Sequence, residues 1–159
     1  MSWATLLLGI TLAGCSAVPE KHIHTSILID APVDRVWRIL IDNQTYPEWN
    51  PYHVSVVGDM TLGSRLDVLI HKPNGETVEI TPRVMRLKPL EELTWGGGIK
   101  GIFHGEHVFQ LTAETESSTR LLHTELFSGF AIPFASLDAI EAGYEMMNRA
   151  LKEYAERND

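Results

Sequence analysis

The sequence predicts an α+β domain, a curved antiparallel sheet of seven strands lying against one long C-terminal helix. Three observations predict it. The periodic segments run strand, helix, six further strands and a final helix. No strand–helix–strand alternation follows the first crossover, which argues against a doubly wound parallel sheet. The final helix carries a single apolar stripe of Leu137, Ile140, Tyr144, Met147, Leu151 and Tyr154, and a helix of that kind buries its stripe against a sheet. Residues 102–129 read as a hairpin with a longer loop. One face of it carries Phe103, Gly105, His107, Phe109 and Leu111, then Leu121, His123, Glu125 and Phe127. A curved sheet beneath a helix leaves a space between the two, and here its wall would mix aromatic rings with two histidines and a glutamate.

Composition narrows the function classes. A chain of 159 residues is the ordinary length for one domain with a real core. The net charge is −8 with no long basic run, which argues against a nucleic-acid partner and against a polybasic membrane-surface patch. The single cysteine, Cys15, leaves no internal disulfide.

The first segment reads as a processing signal. No charge precedes Glu20, and the run from Leu6 to Leu12 is apolar but too short to span a bilayer. It ends in Leu12-Ala13-Gly14-Cys15, which closely resembles the bacterial lipobox, in which the cysteine becomes the lipidated N-terminus. Residues 1–20 are thus expected to be a lipoprotein-like signal and tether, and 21–158 the folded domain. That implies a cell-envelope protein held to a membrane through a lipidated Cys15. An unprocessed leader would instead leave it cytoplasmic, and an ordinary one secreted.

Along the domain, residues 21–29 alternate as a strand. Asp30-Ala31-Pro32-Val33-Asp34 is a helix start, followed by Val36, Trp37, Leu40 and Ile41 on one stripe, with an end near Asp42-Asn43. Tyr46-Pro47-Glu48-Trp49-Asn50-Pro51-Tyr52 is a rigid aromatic turn, because each proline biases its predecessor away from helix. Strands are expected over 53–57, 62–70, 76–87 and 91–95. Lys72-Pro73-Asn74-Gly75 supplies a turn, and Pro82 marks a bulge or edge. Gly96-Gly97-Gly98 is expected as a flexible loop at the cavity mouth. A helix some 20 residues long follows residue 134.

These segments resemble the START-like, or SRPBCC, superfamily with its Bet v 1-like helix-grip fold, in the bacterial branch labelled polyketide cyclase-like. The resemblance covers about residues 23–156 and rests on Ile29-Asp30-Ala31-Pro32 with Val36-Trp37, on Trp49-Asn50-Pro51, on Leu93-Thr94-Trp95 and on Gly105-Glu106-His107-Val108-Phe109. It continues through Glu125-Leu126-Phe127-Ser128-Gly129 and residues 143–152. It implies an internal cavity for an apolar ligand, and fold alone does not assign a reaction.

The candidate site follows. Pairing Ala113 with Thr119 places His107 opposite Glu125 and His123 opposite Phe109, within hydrogen-bond reach. Such a cluster serves as a polar anchor for a ligand, as an acid/base pair with His107 as base, or as a buried pair satisfying itself. Two histidines and a carboxylate also suit zinc, but no local ligand spacing supports a metal. Phe103, Phe109, Phe127 and Trp95 join the expected wall, Tyr144 and Met147 the expected cover, and Trp49 with Asn50 either a cavity lip or a core-plugging turn. His22, His24, His53 and His104 read as surface residues. No nucleophile elbow, Ser-His-Asp order, dinucleotide fingerprint or EF-hand loop is present, and no cofactor is expected. The expected partner is a small hydrophobic molecule or lipid, and a polyketide cyclase-like enzyme using His107 and Glu125 is the alternative.

Overall fold

The computed structural model describes residues 18–157. The leader-like run and Cys15 lie outside the described residues. The chain forms β1 (Glu20–Ile29), α1 (Val33–Ile41), a 3₁₀ turn at Asn43–Thr45, α2 (Tyr46–Trp49), β2 (His53–Val57), β3 (Asp67–His71) and β4 (Thr77–Ile80). It continues through β5 (Arg83–Lys88), β6 (Glu92–Ile99), β7 (Phe103–Thr115), β8 (Ser118–Ser128), a 3₁₀ turn at Ile132–Phe134 and α3 (Ile140–Glu156). All strand pairs are antiparallel.

The strands make two sheets, ordered β1-β8-β7-β6-β5 and β2-β3-β4, instead of one sheet of seven. The extra strand arises at Thr81-Pro82, where the single expected strand over 76–87 divides. Proline has no N–H for the ladder, so β4 stays with β3 while β5 crosses to β6. The sheets remain joined by a bridge between Arg65 and Arg83. Leu66 N–H donates to the Pro82 carbonyl and Val84 N–H to the Ser64 carbonyl, each at 2.9 Å. Residues 63–66, expected within a strand, form this junction.

Two further corrections bear on the site. Gly96-Gly97-Gly98 is not a loop but the second half of β6. Gly96 and Gly98 lie where the neighbouring strand passes close: a Cβ would sit 2.4 Å from the Gly105 carbonyl oxygen at Gly96 and 2.2 Å from the Phe103 carbonyl oxygen at Gly98. The last helix starts at Ile140 and spans 17 residues, so Leu137 lies in the loop before it. Pro133 sits in the 3₁₀ turn, and Ala139 adopts a left-handed conformation at φ 65° that breaks the helical path.

The helix nevertheless buries the expected stripe, through Ile140, Tyr144, Met147 and Leu151, with Gly143 and Asn148 on the same side. It lies against β1 and α1. Gly143 permits the closest approach, since a Cβ there would meet the Tyr52 ring at 2.2 Å. Asn148 Nδ2 donates to Thr25 Oγ1 at 2.9 Å, and Lys152 Nζ donates to the Leu28 carbonyl at 2.9 Å. α1 buries Val36, Trp37 and Leu40 as its stripe requires. One apolar core runs through both sheets and the helices.

Candidate functional site

A cavity of about 380 Å³ lies between the two sheets and α3. Its apolar walls come from Ile70 and Val78 on the small sheet, Trp95, Phe103 and Phe127 on the large sheet, and Ile140 on α3. Ile80, Thr81, Gly98 and Ser136 are exposed and also line it, so the mouth lies between the β4–β5 turn, the end of β6 and the loop before α3. Lys72 Nζ bridges Glu76 at 2.8 Å and the Ser136 carbonyl at 3.1 Å, clasping the β3–β4 turn to that loop.

Inside, the polar groups are Tyr52, His53, His107, Glu125 and Tyr144, and among the described residues Glu125 is the only acid on the wall. The hairpin register is the expected one: Ala113 pairs with Thr119, His107 with Glu125 and Phe109 with His123. The hydrogen bonds are not. His107 Nε2 meets His123 Nε2 at 2.5 Å, a diagonal contact, while Glu125 accepts a short hydrogen bond from the Tyr144 hydroxyl on α3. The pair across the ladder gives way because α3 offers the carboxylate a better-placed donor.

A chain of contacts fixes the histidine tautomers. Asn148 Nδ2 donates to Thr25 Oγ1, and Thr25 in turn donates to the His123 carbonyl at 2.9 Å. Asn148 Oδ1 therefore accepts from His123 Nδ1 at 2.7 Å. His123 Nε2 is then a lone pair, and it receives the proton on His107 Nε2. His107 Nδ1 is left as an acceptor with no protein partner, on a side chain that lines the cavity.

Burial sets the charges. It pushes His53 and His123 down to about 3 and His107 well below its ordinary value, with neighbouring histidines adding to the drop for His53 and His107. All three are neutral rings at neutral pH. Burial lifts Glu125 from 4.5 to about 7, against a smaller opposing pull from the Tyr144 hydrogen bond. Glu125 is partly buried, and what it faces is the cavity. Tyr52 and Tyr144 are raised by burial first and by the Glu125 charge second. The site thus offers a carboxyl that both gives and takes a proton near neutrality, with a phenol hydroxyl beside it.

Of the residues expected at the site, Trp95, Phe103, His107, Glu125, Phe127 and Tyr144 line the cavity. Phe109, His123 and Met147 are fully buried behind that wall. Phe109 packs edge-on against Trp95 at 5.5 Å between ring centroids. Trp49 and Asn50 form no lip. Trp49 packs against Tyr46 and Tyr154, and Asn50 Oδ1 accepts from the backbone N–H groups of Tyr52 and His53. That turn aims Tyr52 and His53 into the cavity.

These two residues escaped sequence reasoning. His53 and His104, both expected on the surface, are buried, His53 with only 2% of its area exposed. A register shift between His53 and Ser55 disturbs the simple alternation of β2. The signal available was the adjacent Trp49-Asn50-Pro51 turn. Gly105 keeps room for the cluster, since a Cβ there would approach Glu125 Oε1 to 3.1 Å and the Phe127 ring to 3.2 Å. Among the described residues, no group of three or more His, Cys, Asp and Glu is placed to hold a metal ion.

Solved structures share the fold at low sequence identity. The aromatase/cyclase Zhui from Streptomyces sp. R1128 superposes with a TM-score of 0.72 at 19% identity, over 87% of this chain and 95% of that one. Norcoclaurine synthase from Thalictrum flavum, solved with dopamine and hydroxybenzaldehyde, gives 0.67 at 12% identity, over 99% and 100%. A protein of unknown function from Staphylococcus aureus gives 0.66 at 14%, over 87% and 95%. No curated protein matches the sequence significantly. Residues 20–157 match the polyketide cyclase / dehydrase and lipid transport family, and the chain belongs to it.

Proposed function

We propose that the protein binds a small apolar or amphipathic molecule in this cavity and carries it at the cell envelope. One observation carries the reading: an apolar chamber with a single acid, Glu125, tied to Tyr144 inside it. Such a pocket is in the size range of small-molecule sites. Its volume equals about a dozen waters at roughly 30 Å³ each, which suits a ring system or one short chain and not a two-chain phospholipid. The ligand's polar end meets Glu125 and Tyr144, and its body packs on Trp95, Phe103 and Phe127. The segment Leu12-Ala13-Gly14-Cys15 supports anchoring through a lipidated Cys15, and Cys15→Ala is expected to release the protein from the membrane fraction.

A second reading has its own support. A carboxyl near pKa 7 facing an apolar chamber suits general acid–base catalysis, and the family description includes cyclases. Glu125, with Tyr144 as hydrogen-bond donor, would then act on a carbonyl compound. One experiment separates the readings. Phenolic and polyketide-like carbonyl compounds are incubated with wild type and with Glu125→Gln, then extracted and weighed by mass spectrometry. Carriage predicts unchanged compound from both proteins, retained less by the variant. A compound altered by wild type and untouched by Glu125→Gln would overturn carriage in favour of catalysis.

A further inference from the structure

Beside one side of the cavity mouth lie apolar side chains that the fold leaves in the open. Ile99 and Ile102 flank the β6–β7 turn with 64% and 41% of their areas exposed. Phe130 and Phe134, in the loop before α3, are 63% and 88% exposed. They form one rim, because Phe130 N–H donates to the Gly101 carbonyl at 3.0 Å and Ala131 N–H to the Ile102 carbonyl at 2.9 Å. Gly129 makes that crossing possible, since at φ 132° a Cβ would lie 2.2 Å from the Ile102 carbonyl oxygen. Ile132 is buried beneath, so the loop is fastened while its phenylalanines project. Gly98, Phe103, Ser136 and Leu137, the chain neighbours of this rim, line the cavity.

The N-terminal tether leaves the domain at the same place. Gly129 N–H donates to the Pro19 carbonyl at 3.0 Å, Glu20 pairs with Ser128, and Val18 is 55% exposed. Cys15, the residue expected to carry lipid, stands three positions before Val18. A lipid anchor there would join the chain beside exposed aromatic side chains and an apolar chamber.

We propose that this rim docks on a lipid bilayer, so that the cavity opens toward the membrane and its ligand passes between chamber and lipid without crossing water. The purpose of the docking rests on the cavity reading; its geometry does not. A net charge of −8 gives no electrostatic pull toward anionic lipid, so the contact works by burying apolar area. Raising salt to about 1 M, which confines charge effects to a few ångströms, should leave it intact.

The test uses the full chain with Cys15→Ser, which removes acylation and every thiol. A single thiol is then placed either in the rim by Lys100→Cys or in the β7–β8 turn, at the far end of the sheet, by Ser117→Cys. Each is labelled with a polarity-sensitive fluorophore and mixed with phosphatidylcholine vesicles. Docking predicts a blue shift at position 100 and none at 117. Adding Phe130→Ser with Phe134→Ser should weaken the shift at 100 by at least about tenfold, because each buried phenylalanine is worth more than one decade.

Co-sedimentation with vesicles but no shift at 100 would mean that the leader binds alone and the mouth faces away. A shift that survives the double substitution, an equal shift at 117, or one that grows with protein concentration without vesicles would each overturn the proposal. The last would identify a second copy of the chain as the occupant. Uptake of N-phenyl-1-naphthylamine is followed in parallel and is expected to be unchanged by the rim substitutions. Docking without uptake of that probe overturns the cavity reading alone, and uptake without docking overturns only this one.

Discussion

At the scale of single residues, the site is a problem of burying polar groups. A carboxyl and two imidazoles line a largely apolar chamber, with a third imidazole buried behind its wall, and carboxyl and imidazole react to desolvation in opposite directions. Glu125 is raised to about 7, above its value in the unfolded chain. The native state therefore holds a proton that the unfolded chain has already released, and stability falls as pH rises from 4.5 through about 7. Glu125→Gln keeps an acceptor for Tyr144 and cannot ionise. Urea midpoints measured across that window should show the variant gaining on wild type as pH rises, whereas parallel curves would show that Glu125 titrates normally.

The histidines work the other way. With His53 and His123 lowered to about 3, the unfolded chain takes up protons below its ordinary 6.5 while the native state does not. Their contribution is present above 6.5 and is lost as pH falls toward 3. His53 Nδ1 has no hydrogen-bond partner in the protein, so His53→Phe removes a titrating ring without orphaning another group. Its acid unfolding should begin at lower pH and with a shallower slope. The identity of these groups was only partly visible in the sequence. Strand alternation put His107, His123 and Glu125 on one face, but it is blind to what a helix 20 residues further along presents to them. The Tyr144 hydroxyl and Asn148 amide decide who bonds to whom, and both arrive from α3.

At the scale of elements, α3 holds the large sheet partly through a short buried polar network. Asn148 satisfies His123 on one side and Thr25 on the other, and all three are buried. Asn148→Ala leaves a buried ring N–H without its acceptor, so a loss of about 2–3 kcal/mol in denaturant-measured stability is expected. It should also free His123 to take its other tautomer, which removes the ordered acceptor at His107 Nδ1. Gly143→Ala poses a complementary test. Alanine favours the helix by about 1 kcal/mol, but its methyl would occupy the Tyr52 ring position. Destabilisation of about 1–3 kcal/mol, the usual cost of overpacking, is the expected net result. A neutral or stabilised variant would show that Tyr52 moves freely and that the cavity wall is soft.

The elements themselves were legible where periodicity was long. The α1 stripe and the paired strands of the hairpin follow their sequence patterns, down to the Ala113–Thr119 register. The misreadings fall where one residue overrides a pattern. Pro82, expected as a bulge or edge, divides the strand outright, Ala139 delays a helix whose stripe begins earlier, and close strand packing at Gly96 and Gly98 draws the glycine run into β6. None of these is a preference averaged over a window. Each is a local steric event settled by tertiary neighbours.

At the scale of the whole molecule, two sheets and a helix surround a chamber whose mouth lies at the end of the large sheet where β1 begins. The cavity's existence was legible, since an amphipathic helix over a curved sheet must leave space or fill it with large side chains. Its filling was not, because Phe109 and Met147 retreat into the wall while Tyr52 and His53 come forward from a turn. The central claim, that this chamber holds a small apolar molecule by its polar end at Glu125, is tested most directly by native mass spectrometry of the protein purified from its own host. The account predicts one bound small molecule on wild type at one-to-one stoichiometry, with lower occupancy in Glu125→Gln and in Tyr144→Phe. Bare protein from the native host, together with no uptake of added apolar probe by wild type, would contradict it.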